Sequence, residues 1–404
     1  MRFLFLHPNF PAQFWKISQA LAANPRNEIV FLTAREDGSI AGVRKVLYKT
    51  AREVAAQTHP YLKTYEQAIL HGQAAYRAML EEKKRGFYPD VIYGHSGWGT
   101  TLFLRDLFPR ARFLVNFEWF YNARGADSDF DPEDLPTADD EARLRIRNSS
   151  ILVDLYSCDA GSCPTKWQHR QFPSEFHSKI EVLHEGIDTA YFKPAEPDAP
   201  LVLGKNGLNL SELPEIVTYA TRGMEPYRGF PQFIEAVHRL LASRPNCHVV
   251  IAGEDRVAYG AALPDGKTYK QELLARFPLD PKRVHFTGLL PYADYLRLLQ
   301  ASHAHIYLTR PFVLSWSVLE AMSAGCLVVA SRTAPVEEVL EHEHNGLLVD
   351  FFDVEALTTT LNRALDERQA LAGLREKARQ TIQVHYELRD CLKRRVAWMN
   401  RQMK

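Results

Sequence analysis

Short apolar runs alternate with stretches of helical periodicity along this sequence, and the alternation occurs twice, on either side of one proline-rich segment. The first series opens with the run Arg2–Leu6, a Pro-bounded turn over 7–11, a helical pattern over 12–23 that stops at Asn24-Pro25, and a second run, Glu28–Thr33. A strand–helix–strand order implies parallel strands joined by a crossover helix. Further strands are expected at 90–93, 112–117 and 180–183, with an amphipathic helix over 61–84 on one face. The second series begins at 215–220 and continues with strands at 248–252, 284–286, 305–308 and 327–330, followed by helices, the last over 389–403. These runs are apolar without alternation, as in a sheet covered on both faces.

The expected fold class is therefore α/β, with two Rossmann-like domains facing across a cleft. A chain of 404 residues exceeds what one hydrophobic core organises. Residues 194–214 mix proline, glycine and polar side chains as a linker does. The division expected is an N-terminal domain over 1–195, a C-terminal domain over 196–385 and a terminal helix over 386–404. In doubly wound sheets, loops and helix N-termini converge at the carboxyl ends of the strands, where anionic or nucleotide ligands bind.

Composition narrows the classes. Hydrophobic residues at 46% and charged residues at 24% exclude a disordered chain. Lys plus Arg and Asp plus Glu balance at 49 each, so no overall field marks a nucleic-acid binder. The opening run is too short for a signal peptide, and no apolar run reaches the roughly 18 residues of a membrane span. A cytoplasmic protein is expected, with peripheral membrane contact left open. Cys158, Cys163, Cys247, Cys326 and Cys391 are scattered and lack metal-ligand spacing, so they read as buried thiols. The acidic stretch 127–140 reads as a surface loop leading into a helix, or as a lid on the acceptor side.

Two segments carry chemistry. In residues 312–325, FVLSWSVLEAMSAG, Ser315 caps a helix that Gly325 stops. Glu320 lies on that helix among apolar neighbours, and a buried carboxylate requires donors. The vicinal hydroxyls of a ribose would serve; an ordinary surface glutamate is the alternative. The second segment is Thr221-Arg222-Gly223-Met224-Glu225-Pro226-Tyr227-Arg228-Gly229-Phe230, which follows a strand and precedes a helix. Cations, glycines and a helix N-terminus there suit a diphosphate.

Residues 318–331, VLEAMSAGCLVVAS, followed by APVEE and HNGLLVD, resemble the signature of the retaining glycosyltransferases of family 4, which have the GT-B fold. The resemblance covers the C-terminal half and, more loosely, the N-terminal half. It implies transfer of a hexose-like sugar from a nucleoside-diphosphate sugar, used as co-substrate with no further cofactor, to an acceptor hydroxyl with retention. The acceptor, whether glycan, lipid-linked or small molecule, is not named by it. Glu320 matches the family glutamate that binds the donor ribose. Arg222 matches the family arginine of the diphosphate loop, and Arg228 stands for its lysine, one position further along. The family reaction needs no metal motif, and Asp139-Asp140 lacks the Asp-x-Asp spacing. Ser315 and Gly288, in the loop after strand 284–286, are further donor-side candidates. Gln13 stands near where the family has a Gly-Gly loop, His95 where it carries an acceptor-side histidine, and Glu118 near another family histidine. Glu118 would accept the acceptor proton or pair with Arg124. The resemblance also has the terminal helix return to the N-terminal domain.

One position departs from the family. The first of two glutamates spaced eight apart is Phe312 here. That leaves an altered sugar pocket, with Arg310 or Ser315 compensating, or lost catalysis. The competing functions are accordingly a catalytically silent nucleotide-sugar-binding partner, or a nucleotide-sugar epimerase or hydrolase on the same fold.

Overall fold

The computed structural model describes residues 1–196, 199–204 and 207–403. The chain divides into two compact units, Met1–Gly186 with Arg389–Lys404, and Ile187–Leu388.

The first unit holds a seven-stranded sheet built from β1 (Arg2–Leu6), β2 (Glu28–Thr33), β3 (Val43–Leu47), β4 (Val91–His95), β5 (Arg112–Asn116), β6 (Ala160–Cys163) and β7 (Ile180–Val182). The order is β3-β2-β1-β4-β5-β6-β7, parallel throughout. The chain winds outward from β1 in one direction, then returns to place β4 on its other side. That reversal opens a crevice beyond the carboxyl ends of β1 and β4.

Side chains alternate between two buried faces. Leu4, Leu6 and Val30 pack with Ala75 and Met79 of the helix Lys63–Lys84. Phe3, Phe5 and Phe31 face the other way, against Trp398 and Met399 of the terminal helix Leu388–Gln402. Arg395 of that helix is buried and donates to the Leu183 carbonyl at 2.8 Å and to Glu185 Oε1 at 3.1 Å. A buried pair with an additional backbone acceptor fixes helix register, since removing either partner strands a charge.

β3 and β6 escape the sequence pattern. β3, VRKVL, is an edge strand whose side chains are at most half-buried. β6, AGSC, is built of small residues that a hydrophobic scan passes over. The turn after β4 continues to Phe103, and only Leu104–Leu107 is helical before β5. The acidic stretch does lead into a helix, Ala138–Arg147, where Thr137 and Asp140 form a capping box.

The second unit begins with residues 187–195, where Ile187 and Phe192 join its core. The described part of the proline-rich segment is packed, not free. β8 (Val202–Leu203) and β9 (Leu208–Asn209) pair antiparallel, and Leu203 and Leu210 are buried with Ile216 and Leu298. Residues 197–198 and 205–206 of the expected linker lie outside the described residues.

The main sheet contains β10 (Glu215–Gly223), β11 (Cys247–Glu254), β12 (Val284–Gly288), β13 (Ala304–Tyr307), β14 (Val328–Ser331) and β15 (Leu347–Val349). Its order is β12-β11-β10-β13-β14-β15, parallel throughout. The reversal now falls between β10 and β13. All five cysteines are buried and none is in a disulfide. No helix among the described residues is long and apolar enough to cross a membrane.

Candidate functional site

In each unit the chemistry gathers at the sheet's reversal point. In the second unit a cavity of about 290 Å³ opens beyond the carboxyl ends of β10 and β13. Arg222, Arg228, Ser315 and Glu320 all line it, so residues far apart in sequence share one wall.

Glu320 sits on the helix Trp316–Ser323 and is 6% exposed. Tyr292 Oη donates to its Oε1 at 3.0 Å. Burial pushes the carboxyl pKa up to about 7, against the opposing pull of the Tyr292 and Tyr295 hydroxyls. The surface reading of this glutamate is therefore wrong: it is a buried acid facing the Tyr292 and Tyr295 hydroxyls, with an open cavity before it. Ser315 caps the same helix, its Oγ accepting from Ser317 N at 3.3 Å.

Arg228 is 7% exposed, at the end of a short 3-10 turn that continues into the helix Phe230–Ser243. It donates to Thr309 Oγ1 at 2.6 Å, Tyr307 Oη at 3.2 Å and the Val313 carbonyl at 3.4 Å. Its guanidinium carbon lies 5.1 Å from the centre of the Tyr259 ring. None of these partners is a carboxylate. A buried cation held by neutral oxygens beside a cavity attracts an anion there. Arg222 belongs to the end of β10, not to the loop after it, and its side chain is exposed.

Gly288 ends β12 but is not among the lining residues; its neighbours Leu289 and Leu290 are. Phe312 also stands apart from the cavity. It is buried edge-on against Tyr227 and Tyr259, with ring centres 5.5 Å away in both cases. Arg310 is buried too, with its guanidinium 5.4 Å from the Tyr227 ring.

In the first unit, His7 follows β1 and His95 ends β4. Their rings meet edge to face at 4.9 Å. His95 is buried; its Nδ1 donates to the Ser96 carbonyl at 2.8 Å, which turns Nε2 toward Glu118 Oε2 at 3.3 Å and Gln13 Nε2 at 3.4 Å. Gln13 Nε2 also donates to Glu118 Oε1 at 3.2 Å. Gln13 thus joins His95 and Glu118 rather than the lining of the donor-side cavity. Burial pulls the His95 pKa down, but hydrogen bonding and attraction to Glu118 outweigh it and leave it raised. His7 moves the other way, driven well below its ordinary value by burial and by His95. Arg124 pairs with Glu141, which removes the pairing considered for Glu118.

Sequence reasoning missed His7, Tyr259 and Tyr292. His7 had a usable signal: a histidine directly after the first strand of a parallel series. The tyrosines had none, because only the folding of the loop that carries Tyr259 and of the helix Tyr292–Ala301 brings them to the cavity.

Comparison with known proteins bears on the family and the fold. The model of the glycosyl transferase family 4 group matches residues 25–192, and that of the glycosyl transferases group 1 matches 205–381. A GDP-mannose-dependent monoacylated alpha-(1-6)-phosphatidylinositol monomannoside mannosyltransferase of Corynebacterium glutamicum is 26% identical over 231 residues, 54% of this chain and 56% of the relative. The alpha-maltose-1-phosphate synthase of Mycolicibacterium smegmatis is 28% identical over 207 residues, 49% of each. The chain spans about half the length of the curated relatives it matches. Among solved structures, the sucrose-phosphate synthase of Thermosynechococcus elongatus superposes with a TM-score of 0.73 at 17% identity, covering 100% of this chain and 99% of that one. Anabaena Alr3699/HepE in complex with UDP-glucose gives 0.70 at 16% identity, covering 99% of both chains. With the two matched regions on the two parallel-sheet units, the chain belongs to the family 4 group of glycosyltransferases and has the GT-B type of fold.

Proposed function

We propose that this protein transfers a hexose-like sugar from a nucleoside-diphosphate sugar to an acceptor hydroxyl, with retention at the anomeric carbon. The observation that carries the reading is that a buried carboxylate, Glu320, and a buried guanidinium, Arg228, line one cavity at the reversal point of the second sheet. Glu320 accepts from the ribose hydroxyls; Arg228, aided by Arg222, holds the diphosphate. In the reaction the bond from the anomeric carbon to the diphosphate oxygen breaks, and a bond to the acceptor oxygen forms. Negative charge grows on the departing diphosphate, where the arginines and the amides at the start of the helix Trp316–Ser323 stabilise it. The reading uses no metal ion for this step.

His95 and Glu118 act on the acceptor side, the Glu118 carboxylate receiving the acceptor proton while His95 and Gln13 orient it. Retention rests on family membership. Curated relatives include a GDP-mannose-dependent mannosyltransferase, and UDP-glucose is bound in one structural neighbour, so the donor panel below spans both sugars and both bases.

Phe312 sustains a second reading, a silent nucleotide-sugar-binding partner, because a phenyl ring stands where the family has a glutamate. The test is turnover. The protein is incubated with a panel of nucleotide sugars, with and without a library of acceptors, and products are followed by mass spectrometry. Acceptor-dependent product supports transfer. Consumption of donor alone indicates an epimerase or hydrolase, and binding without consumption the silent partner. Failure to bind any nucleotide sugar or nucleoside diphosphate removes all three.

A further inference from the structure

Glu225 lies in the segment between Arg222 and Arg228 and its side chain is fully buried. Its carboxylate is hydrogen-bonded into a loop. Oε1 accepts the amides of Ala258 and Tyr259, both at 3.0 Å, and Oε2 accepts those of Gly260 at 2.7 Å and Tyr259 at 3.1 Å. Three successive amides satisfying one buried carboxylate make a strong, directional clamp, since leaving that carboxylate unsatisfied is costly. Gly223 contributes to the same contact. A Cβ there would lie 2.6 Å from the Arg256 carbonyl oxygen and 3.1 Å from Ala258 N, so only glycine lets the loop rest on the end of β10.

The outcome of this clamp is the position of Tyr259. Its ring lies over the Arg228 guanidinium at 5.1 Å, backed by Phe312 at 5.5 Å, and both Tyr259 and Arg228 line the cavity. An arginine side chain has several rotatable bonds and loses rotamer freedom when it is fixed. A ring against the face of the guanidinium restricts that freedom and leaves the edge N–H groups to hydrogen-bond.

We propose that Glu225 and Tyr259 form a latch that aims the Arg228 guanidinium at the donor diphosphate, making both of them positioning residues for the leaving group. The inference rests on the reading of Arg228 as the diphosphate cation. It gives Phe312 a task as well: it supports the ring that supports the arginine.

The test measures the affinity of the diphosphates of uridine, guanosine and adenosine, and of the matching nucleosides, by calorimetry and ligand-observed NMR. The readout is the ratio between diphosphate and nucleoside, which a general loss of structure does not shift selectively. Tyr259→Leu is expected to lower that ratio by about tenfold, between the sizes of an exposed and a desolvated cation–π contact. Tyr259→Phe keeps the ring and loses only the hydroxyl that also bonds Arg228, so it should restore most of the ratio, and Glu225→Gln should match Tyr259→Leu. If Glu225→Gln does not fold, the two Tyr259 variants decide the matter. A ratio within about twofold of wild type in Tyr259→Leu, with Arg228→Ala still reducing it, overturns the latch while leaving the diphosphate reading intact. If Arg228→Ala also leaves the ratio unchanged, or no diphosphate binds, both the reading and the latch are overturned.

Discussion

Protonation of Glu320 should switch donor binding off below neutral pH. Burial raises this carboxyl from 4.5 to about 7, so the free protein carries it mostly as the acid at pH 6 and mostly as the carboxylate at pH 8. Only the carboxylate accepts from two ribose hydroxyls, and binding at low pH must therefore first remove a proton. At about pH 5.5 the group is roughly 1.5 units below its pKa; at 1.36 kcal/mol per unit this weakens affinity by about 2 kcal/mol, or about thirtyfold. The lining residues include no histidine, which leaves Glu320 as the group titrating near neutrality in the cavity wall. The assay is calorimetry with a nucleotide sugar, whose phosphate diester does not titrate in this range, from about pH 5.5 to about pH 8.5. Wild type should weaken as pH falls through 7 and release up to one proton on binding, whereas Glu320→Gln should bind more weakly and without that dependence. Tyr292→Phe removes a hydrogen bond that lowers the Glu320 pKa, so its midpoint should move to higher pH. Stability follows the same displacement with the opposite sense. A raised carboxyl pKa favours the folded state fully below 4.5, and that contribution is lost as pH rises through about 7. Above pH 7 the ligand-free protein therefore bears a burden of about 3 kcal/mol that Glu320→Gln lifts. Wild-type affinity that stays constant across this range, or a Glu320→Gln variant with the same pH dependence, refutes the reasoning.

Other expectations come from the same geometry. Arg228→Ala should weaken nucleoside-diphosphate binding by about 1.5–3 kcal/mol, and Arg222→Ala, from an exposed position, by less; calorimetry that finds neither change removes both from the site. His95 should titrate above the ordinary histidine value in wild type and lower in Glu118→Gln, where the Ser96 carbonyl and Glu185 are left to oppose burial, as read from imidazole NMR shifts; an unmoved midpoint argues against the pair. Gly229 has φ of +63° and a Cβ there would meet Leu308 Cβ at 2.5 Å, so Gly229→Ala should destabilise the second unit by about 1–3 kcal/mol in urea unfolding; a neutral result contradicts that packing.

The elements that could be read from the sequence are those whose signal is local. Non-alternating strands at 2–6, 28–33 and 215–220 announce a parallel sheet because burial on both faces acts on each strand separately. The Ser315 cap and the Glu320 helix were readable for the same reason, and so was the cluster of Arg222 and Arg228. Strands such as β3 and β6 were not, since an edge position and small residues leave no apolar pattern. Chain pairing over long separations decided the rest. The strand order that puts β13 beside β10 brings Tyr307 and Thr309 to Arg228, and the one that puts β4 beside β1 brings His95 to His7. Glu225 has no local signal in the sequence, and only the fold sets the 258–260 amides around it. Phe312 stood out in the sequence only as a departure from the family; its packing against Tyr227 and Tyr259 was set by the fold. A side chain's type and local spacing are written along the chain, but its partners are chosen by packing between distant segments, and it is those partners that determine whether a glutamate is a surface charge, a clamp or a ligand-binding acid.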